Sequence, residues 1–261
     1  MSKTLLAAAL LPTAAFAQQM TIPVNPTMVV TANRVEQPAS TVLAPVMVIE
    51  RAEIEARQVQ SLPDLLKTLP GVQITTLGGR GHVSSLFIRG TNSNHSLVLM
   101  NGRPVAAMVA GTPDLSQIPL DNIERIEYIR GPRAAVYGAN AIGGVINLIS
   151  KTSAKNGSET HLKGGVGSHG YGQGQVRTVQ ALGEQTDMNL LVGYERTDGF
   201  DVVAGAQQPD RDGFDSLNGQ FGLNHAFNDA WSADFNAQGY DNQTEMDDPY
   251  MSSDQSRVQA F

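Results

Sequence analysis

The chain of 261 residues carries 25 acidic and 18 basic side chains, a formal net charge of −7, and no cysteine. That balance argues against a nucleic-acid footprint, and the missing thiols exclude disulfides, a lipoprotein anchor and thiolate metal sites. Lys3, the apolar run from Leu5 to Leu11 and Ala15-Phe16-Ala17 have the charge, core and small-residue order of a secretory signal peptide, which assigns residues 1–17 to a leader and starts the mature chain at Gln18. No later stretch reaches about 18 uncharged apolar residues, so a membrane-spanning helix is excluded and any crossing must be a barrel.

Residues 18–45 are rich in Pro, Thr and Val without a helical period and read as an extended, flexible segment. Beyond them Glu53, Ile54, Val59, Leu62, Leu65, Leu66 and Leu69 fall near helical spacing, with Ser61 and Pro63 as a helix start and Pro70-Gly71 as a stop. Short strand-like runs follow at Val72 to Thr75, Ser85 to Arg89, Leu97 to Met100, Ile123 to Arg130 and Val145 to Ser150. The pattern predicts a small α+β domain over 46–152.

From 153 to 261 the period changes to two. Leu190, Val192 and Tyr194 alternate with Asn189, Leu191 and Gly193; Leu217, Phe221 and Leu223 alternate with Asn218, Gln220 and Asn224; Trp231, Ala233, Phe235 and Ala237 alternate with Ser232, Asp234, Asn236 and Gln238. One apolar face and one face of Asn, Gln and Asp suit lipid outside and a wet lumen inside. With the weaker runs Thr160 to Gly167 and Gln175 to Leu182 this makes five strands, and Ser256 to Phe261 starts a sixth. Tight turns at 183–187 and 228–230 alternate with a long link over 197–216, the outer-membrane habit of short inner turns and long outer loops. An antiparallel sandwich uses the same alternation and is the competing reading.

The glycine-punctuated run from Arg130-Gly131-Pro132-Arg133 through Tyr137-Gly138 and Gly143-Gly144-Val145-Ile146-Asn147-Leu148 resembles the closing signature of the plug domain of TonB-dependent outer-membrane receptors. Asn33 to Leu43, Leu65 to Val72, and Phe87-Ile88-Arg89-Gly90 running on to Leu97-Val98-Leu99-Met100-Asn101-Gly102 fit the same family in the right order. Within it, Thr27 to Pro38, Phe87 to Asn92 and Glu127 to Arg133 look most like the cobalamin receptors. The resemblance implies an α+β plug domain followed by the first antiparallel strands of a transmembrane β-barrel. Such barrels have about 22 strands, so the expectation is an N-terminal fragment with an incomplete barrel. The implied function is active transport of cobalamin across the outer membrane of a Gram-negative bacterium, with a ferric siderophore or haem as the alternative ligand and a soluble periplasmic interaction module as a remote one.

The resemblance also distributes roles. Thr27, Met28, Val29, Val30, Thr31 and Ala32 resemble the TonB box, an extended peptide that adds as a strand to the TonB partner; β-branched residues favour that extended state. Leu77, Gly78, Gly79 and Arg80, with Met108, Val109 and Ala110, would form apical loops that meet the ligand, since small residues let backbone amides approach a large flat molecule. Asp201, Asp210, Asp212, Tyr240 and Asp241, extended by Asp215 and Asp247, would hold a structural calcium ion in external loops. The Asp210-Arg211-Asp212 spacing supplies hard oxygens at alternate positions, although Phe214 and Phe221 rule out an EF-hand. Arg89, Glu124, Arg125, Arg130 and Arg133 are expected to pair with charges on the barrel wall. Gly165-Val166-Gly167-Ser168-His169-Gly170 matches a dinucleotide-binding pattern, but a strand rather than a helix follows it, so the match is rejected. The five histidines show no metal-ligand spacing, and nothing in the sequence points to catalysis.

Overall fold

The computed structural model describes residues 29–30, 37–38, 45–105, 113–150, 157–202, 211–228, 231–246 and 254–260. The leader assigned to 1–17 lies outside them. Two short strands, β1 (Val29–Val30) and β2 (Gln37–Pro38), pair antiparallel.

The first domain opens with β3 (Val46–Glu50), which is followed directly by α1 (Arg51–Ala56). Facing ion pairs one turn apart, Arg51–Glu55 at 2.8 Å and Glu53–Arg57 at 2.5 Å, support this short helix. Gln58 then adopts φ +52°, and α2 (Leu62–Lys67) begins afresh: the Ser61 hydroxyl accepts from the Asp64 amide at 3.2 Å, with Pro63 in the first turn. The helical periodicity across 53–69 is thus two helices. Ser61 ends one pattern and caps the next, and Pro63 has no N–H with which to continue an earlier helix.

The remaining elements of this domain are β4 (Val72–Thr76), β5 (Ser84–Ile88), β6 (Ser96–Met100), β7 (Arg103–Pro104), β8 (Ile123–Arg130), α3 (Ala134–Tyr137) and β9 (Gly144–Ser150). Strands β4 and β5 form a hairpin of their own. The others make a five-stranded sheet in the order β3-β8-β9-β6-β7, antiparallel except for the β6–β9 pair. Helix α2 packs Leu62, Leu65 and Leu66, none of them accessible to solvent, into a core with Ile88, Ile123, Ile126, Ile146 and Leu148. Buried Tyr128 donates its hydroxyl to the Pro70 carbonyl at 3.3 Å, so the chain reversal after α2 is tied to the sheet.

The second part is a six-stranded antiparallel meander of β10 (Glu159–Val166), β11 (Gly172–Ala181), β12 (Thr186–Thr197), β13 (Phe214–Asn228), β14 (Trp231–Met246) and β15 (Asp254–Ala260), each paired with its sequence neighbour. Its two faces invert the rule of a soluble sheet. Arg177, Asn189, Ser216, Asn218, Gln220, Asn242 and Thr244 are buried, while Val192, Leu217, Phe235 and Trp231 are 50%, 54%, 58% and 72% exposed. Register puts the exposed set on one face, with Leu190 opposite Phe221, Tyr194 opposite Leu217 and Leu223 opposite Phe235. The first domain lies against the other, polar face. An apolar face turned away from the protein is what lipid requires, and a sandwich would bury that face instead.

Candidate functional site

Strand β10 passes to β11 and β12 to β13 at one end of the meander, β11 to β12 and β13 to β14 at the other. The loop between β4 and β5 reaches the first of these ends. Leu77 stands 70% exposed at its tip, and Gly79 lies close beside the Phe200 ring of the long connection. His169 of the neighbouring turn contacts the same ring, with centroids 6.0 Å apart.

Just inside the tip, Arg80 makes a two-pronged ion pair with Glu195 of β12, at 2.6 and 2.8 Å, and its guanidinium sits 5.3 Å from the centre of the Phe214 ring. Burial works against its charge, but the hydrogen bonds and charge of Glu195 more than offset this and hold the guanidinium above its usual value. The next residue, Gly81, is a joint. Its carbonyl accepts from Ser116 Oγ at 3.1 Å, Gln117 Nε2 at 2.7 Å and Thr244 Oγ1 at 3.5 Å, and Asn242 Nδ2 donates to both oxygens of Gln117 at 2.9–3.0 Å. At φ +80°, any Cβ here would collide with Phe214 and Thr244, so only glycine fits. Buried Asp114 completes the joint, accepting from the amides and hydroxyls of both Ser84 and Ser116.

Further in, Lys163 of β10 pairs with Asp121 at 3.0 Å, and Arg177 of β11 lies 3.7 Å from both Glu55 and Glu124. Burial opposes the charge of Glu55, yet the Arg51 hydrogen bond keeps its carboxyl below the ordinary value. These strands meet one member of the charge set expected from the sequence. Glu124 does meet the wall, but Arg125 bonds Glu127 within its own sheet, at 2.9 Å. Arg130 Nε and Arg133 Nη2 are buried without a hydrogen-bond partner among the described residues, and Arg89 makes no ion pair among them. Apart from Arg80, the domain supplies acids and the sheet supplies cations, because strand alternation turns Lys163 and Arg177 toward α1 and β8.

Of the expected ligand residues, Leu77, Gly78, Gly79 and Arg80 stand together at this end, whereas Met108, Val109 and Ala110 lie outside the described residues. Asp210 and Asp247 of the expected calcium set also lie outside. The described members do not make a ligand set by themselves. Tyr240 and Asp241 point to opposite faces of β14, Asp215 accepts from the Tyr194 hydroxyl at 2.7 Å, and Asp212 accepts from the Val202 amide at 2.8 Å. No three acidic or histidine side chains converge among the described residues. In the expected partner-binding peptide, Val29 and Val30 are extended, and Thr27, Met28, Thr31 and Ala32 are outside the description.

Between domain and sheet runs a polar seam. An outer cleft of about 390 Å³ is floored by Gly78, Arg80 and His82 and walled by His169, Tyr171 and Phe200. An inner cleft of about 380 Å³ lies between α1 and β10–β11, against Glu55, Asp121, Lys163 and Arg177. A neck of about 20 Å³, lined among others by Gln60, Arg80, Asp121, Gln173 and Glu195, lies on the same seam. Tyr171 borders both clefts, and burial pushes its phenol up to about 12. This seam was beyond sequence reasoning, since each wall residue is read only as one beat of an alternation.

Residues 38–145 match the family model of the TonB-dependent Receptor Plug Domain. Among solved structures, the fold is similar to the ferric yersiniabactin uptake receptor FyuA from Yersinia pestis (TM-score 0.64, 21% identity over 77% of this chain and 32% of that one). It is also similar to a mutant of the ferric enterobactin receptor PfeA from Pseudomonas aeruginosa (0.62, 25%, 78% and 34%) and to the siderophore receptor PirA from Acinetobacter baumannii (0.62, 24%, 76% and 32%). The chain spans about a third of the length of these receptors. Residues 38–145 thus match the TonB-dependent receptor plug domain, and the antiparallel strands after them match part of a receptor barrel in fold.

Proposed function

We propose that this chain is the plug and first wall strands of an outer-membrane transporter that takes up a ferric siderophore and is powered by TonB. The observation that carries the reading is the plug domain seated against a sheet whose polar face meets it and whose apolar face looks outward. The ferric chelate is preferred to cobalamin because the solved receptors of this fold named above take up iron complexes or siderophores. Cobalamin rests on the motif likeness at 27–38, 87–92 and 127–133 and is the competing reading. In the proposal, Leu77, Gly78, Gly79 and the 108–110 loop meet ligand at the outer end. The partner pairs with the backbone of the 27–32 segment, where Val29 and Val30 are already extended.

The test is uptake by cells expressing the full product of the gene, with and without TonB, offered a panel of ferric siderophores and cyanocobalamin. Uptake of one ferric siderophore, dependent on TonB and lost in Val30→Pro with binding retained, is the expected result. Proline removes an amide donor from the paired edge. TonB-dependent uptake of cyanocobalamin alone would replace the ligand, and no TonB dependence for any ligand would overturn the proposal.

A further inference from the structure

Strands β1 and β2 pair through two residues each, Val29 opposite Pro38 and Val30 opposite Gln37. Opposed residues of an antiparallel pair alternate between those that exchange both backbone hydrogen bonds and those that exchange none. Pro38 has no N–H to give, so Val29 and Pro38 are the pair that exchanges none, and Val30 and Gln37 exchange both. That order decides which way each backbone group faces. The N–H and C=O of Val30 point at β2, while those of Val29 point the opposite way, to the outer edge of β1. On β2, Gln37 faces β1 and Pro38 faces the far edge.

The two outer edges are therefore unequal. That of β1 offers the Val29 donor and acceptor, a template for one more strand. That of β2 offers an acceptor alone at Pro38, and proline on an edge keeps another strand from adding there. Among the described residues this sheet has two strands, so neither edge is covered by a third. Pairing with Gln37 also holds β1 in the extended state that an added strand needs, so part of the ordering cost is met within the chain before a partner arrives.

We infer that TonB adds at the Val29 edge of a hairpin that stays closed, making a three-stranded sheet in the order TonB, β1, β2. The inference rests on the reading that this segment meets TonB. It adds the edge used, the residue whose backbone carries the bonds, and a function for Gln37 and Pro38 as a backing strand with a blunt far edge. The arrangement it excludes is strand exchange, in which TonB takes the place of β2 against Val30. Val30→Pro stops uptake on this account because it removes the amide that bonds Gln37 and opens the hairpin.

Binding of the purified periplasmic domain of TonB to the full product of the gene in detergent, in a cysteine-free background, reads the edge without a transported ligand. In the double variant Val30→Cys/Gln37→Cys the opposed Cα atoms lie about 5.5 Å apart, a span that a disulfide bridges. Its oxidised form should bind TonB as well as the wild type does, because the hairpin need not open. Val29→Pro should weaken binding about tenfold through the lost backbone hydrogen bond, and Val29→Ala, which keeps the amide, should bind like the wild type. An oxidised double variant that binds about tenfold more weakly and recovers on reduction would establish strand exchange and overturn the inference. So would wild-type affinity in Val29→Pro, or equal losses in Val29→Pro and Val29→Ala. Wild-type protein that does not bind TonB at all would overturn the transport reading and the inference together.

Discussion

Asp114 and Gly81 show how single residues fix this architecture. Asp114 takes four hydrogen bonds in a buried setting, so Asp114→Ala orphans the Ser84 and Ser116 amides and should lower stability by about 3 kcal/mol, measured by chemical denaturation. Asp114→Asn, which keeps an acceptor oxygen, should lose less; equal losses in the two variants would contradict the role given to the carboxylate. Tyr171 gives a pH signature. Its phenol keeps its proton to about 12 in the folded chain, whereas an unfolded tyrosine loses it near 10. Deprotonation therefore favours the unfolded state, with no effect below about 10 and a growing loss of stability as pH rises toward 12. Wild type should lose more stability than Tyr171→Phe between about pH 9 and 11.5, and parallel curves would refute the buried phenol. At this scale the sequence was half legible. The glycines of the 78–81 loop announce a tight turn, and Arg80 stands out within it. Its partner Glu195 is 115 residues away on a strand where nothing local marks it.

Strand alternation was the most readable signal, because a period of two survives without knowledge of neighbours. Each expected wall strand falls on an observed one, and the Ser256 start is part of β15. The first domain was less transparent. Strand β3 went unread because Val46 to Ile49 is an uninterrupted apolar run with no alternation, and the split between α1 and α2 hides in a continuous apolar period that only Ser61 and Pro63 break. Of the charges expected to meet the wall, Glu124 does so among the described residues, while Arg80 and Asp121 of the first domain pair across the seam without having been expected to. Which face of a strand looks inward decides the matter, and that is fixed by register with distant strands. If the outward face meets lipid, a charge placed there should be costly. Val192→Lys should reduce folding into vesicles by about 2–4 kcal/mol, while Arg103→Glu, an exposed position on the plug, should leave it unchanged. Equal folding of the two variants would place Val192 in water.

For the whole molecule, the account reduces to one arrangement: a plug with an ordinary apolar core, held by polar contacts to a wall whose own apolar residues face away. Motif likeness and period were enough to anticipate it. The ligand was not legible, because the signature residues between 130 and 148 build the plug rather than touch a substrate, and three of the expected contact residues lie outside the described structure. Residues 1–261 carry no cysteine to be replaced, so in a cysteine-free background of the full product the arrangement is directly measurable. Spin labels on single variants Val192→Cys, Leu217→Cys and Asn218→Cys of the full product in outer-membrane vesicles report collision with oxygen, which concentrates in lipid, and with a nickel chelate, which stays in water. Labels at 192 and 217 should collide with oxygen and be shielded from nickel, and the label at 218, turned toward the plug, should be shielded from lipid oxygen. The reverse pattern, or nickel access at all three positions, would contradict a wall that faces lipid.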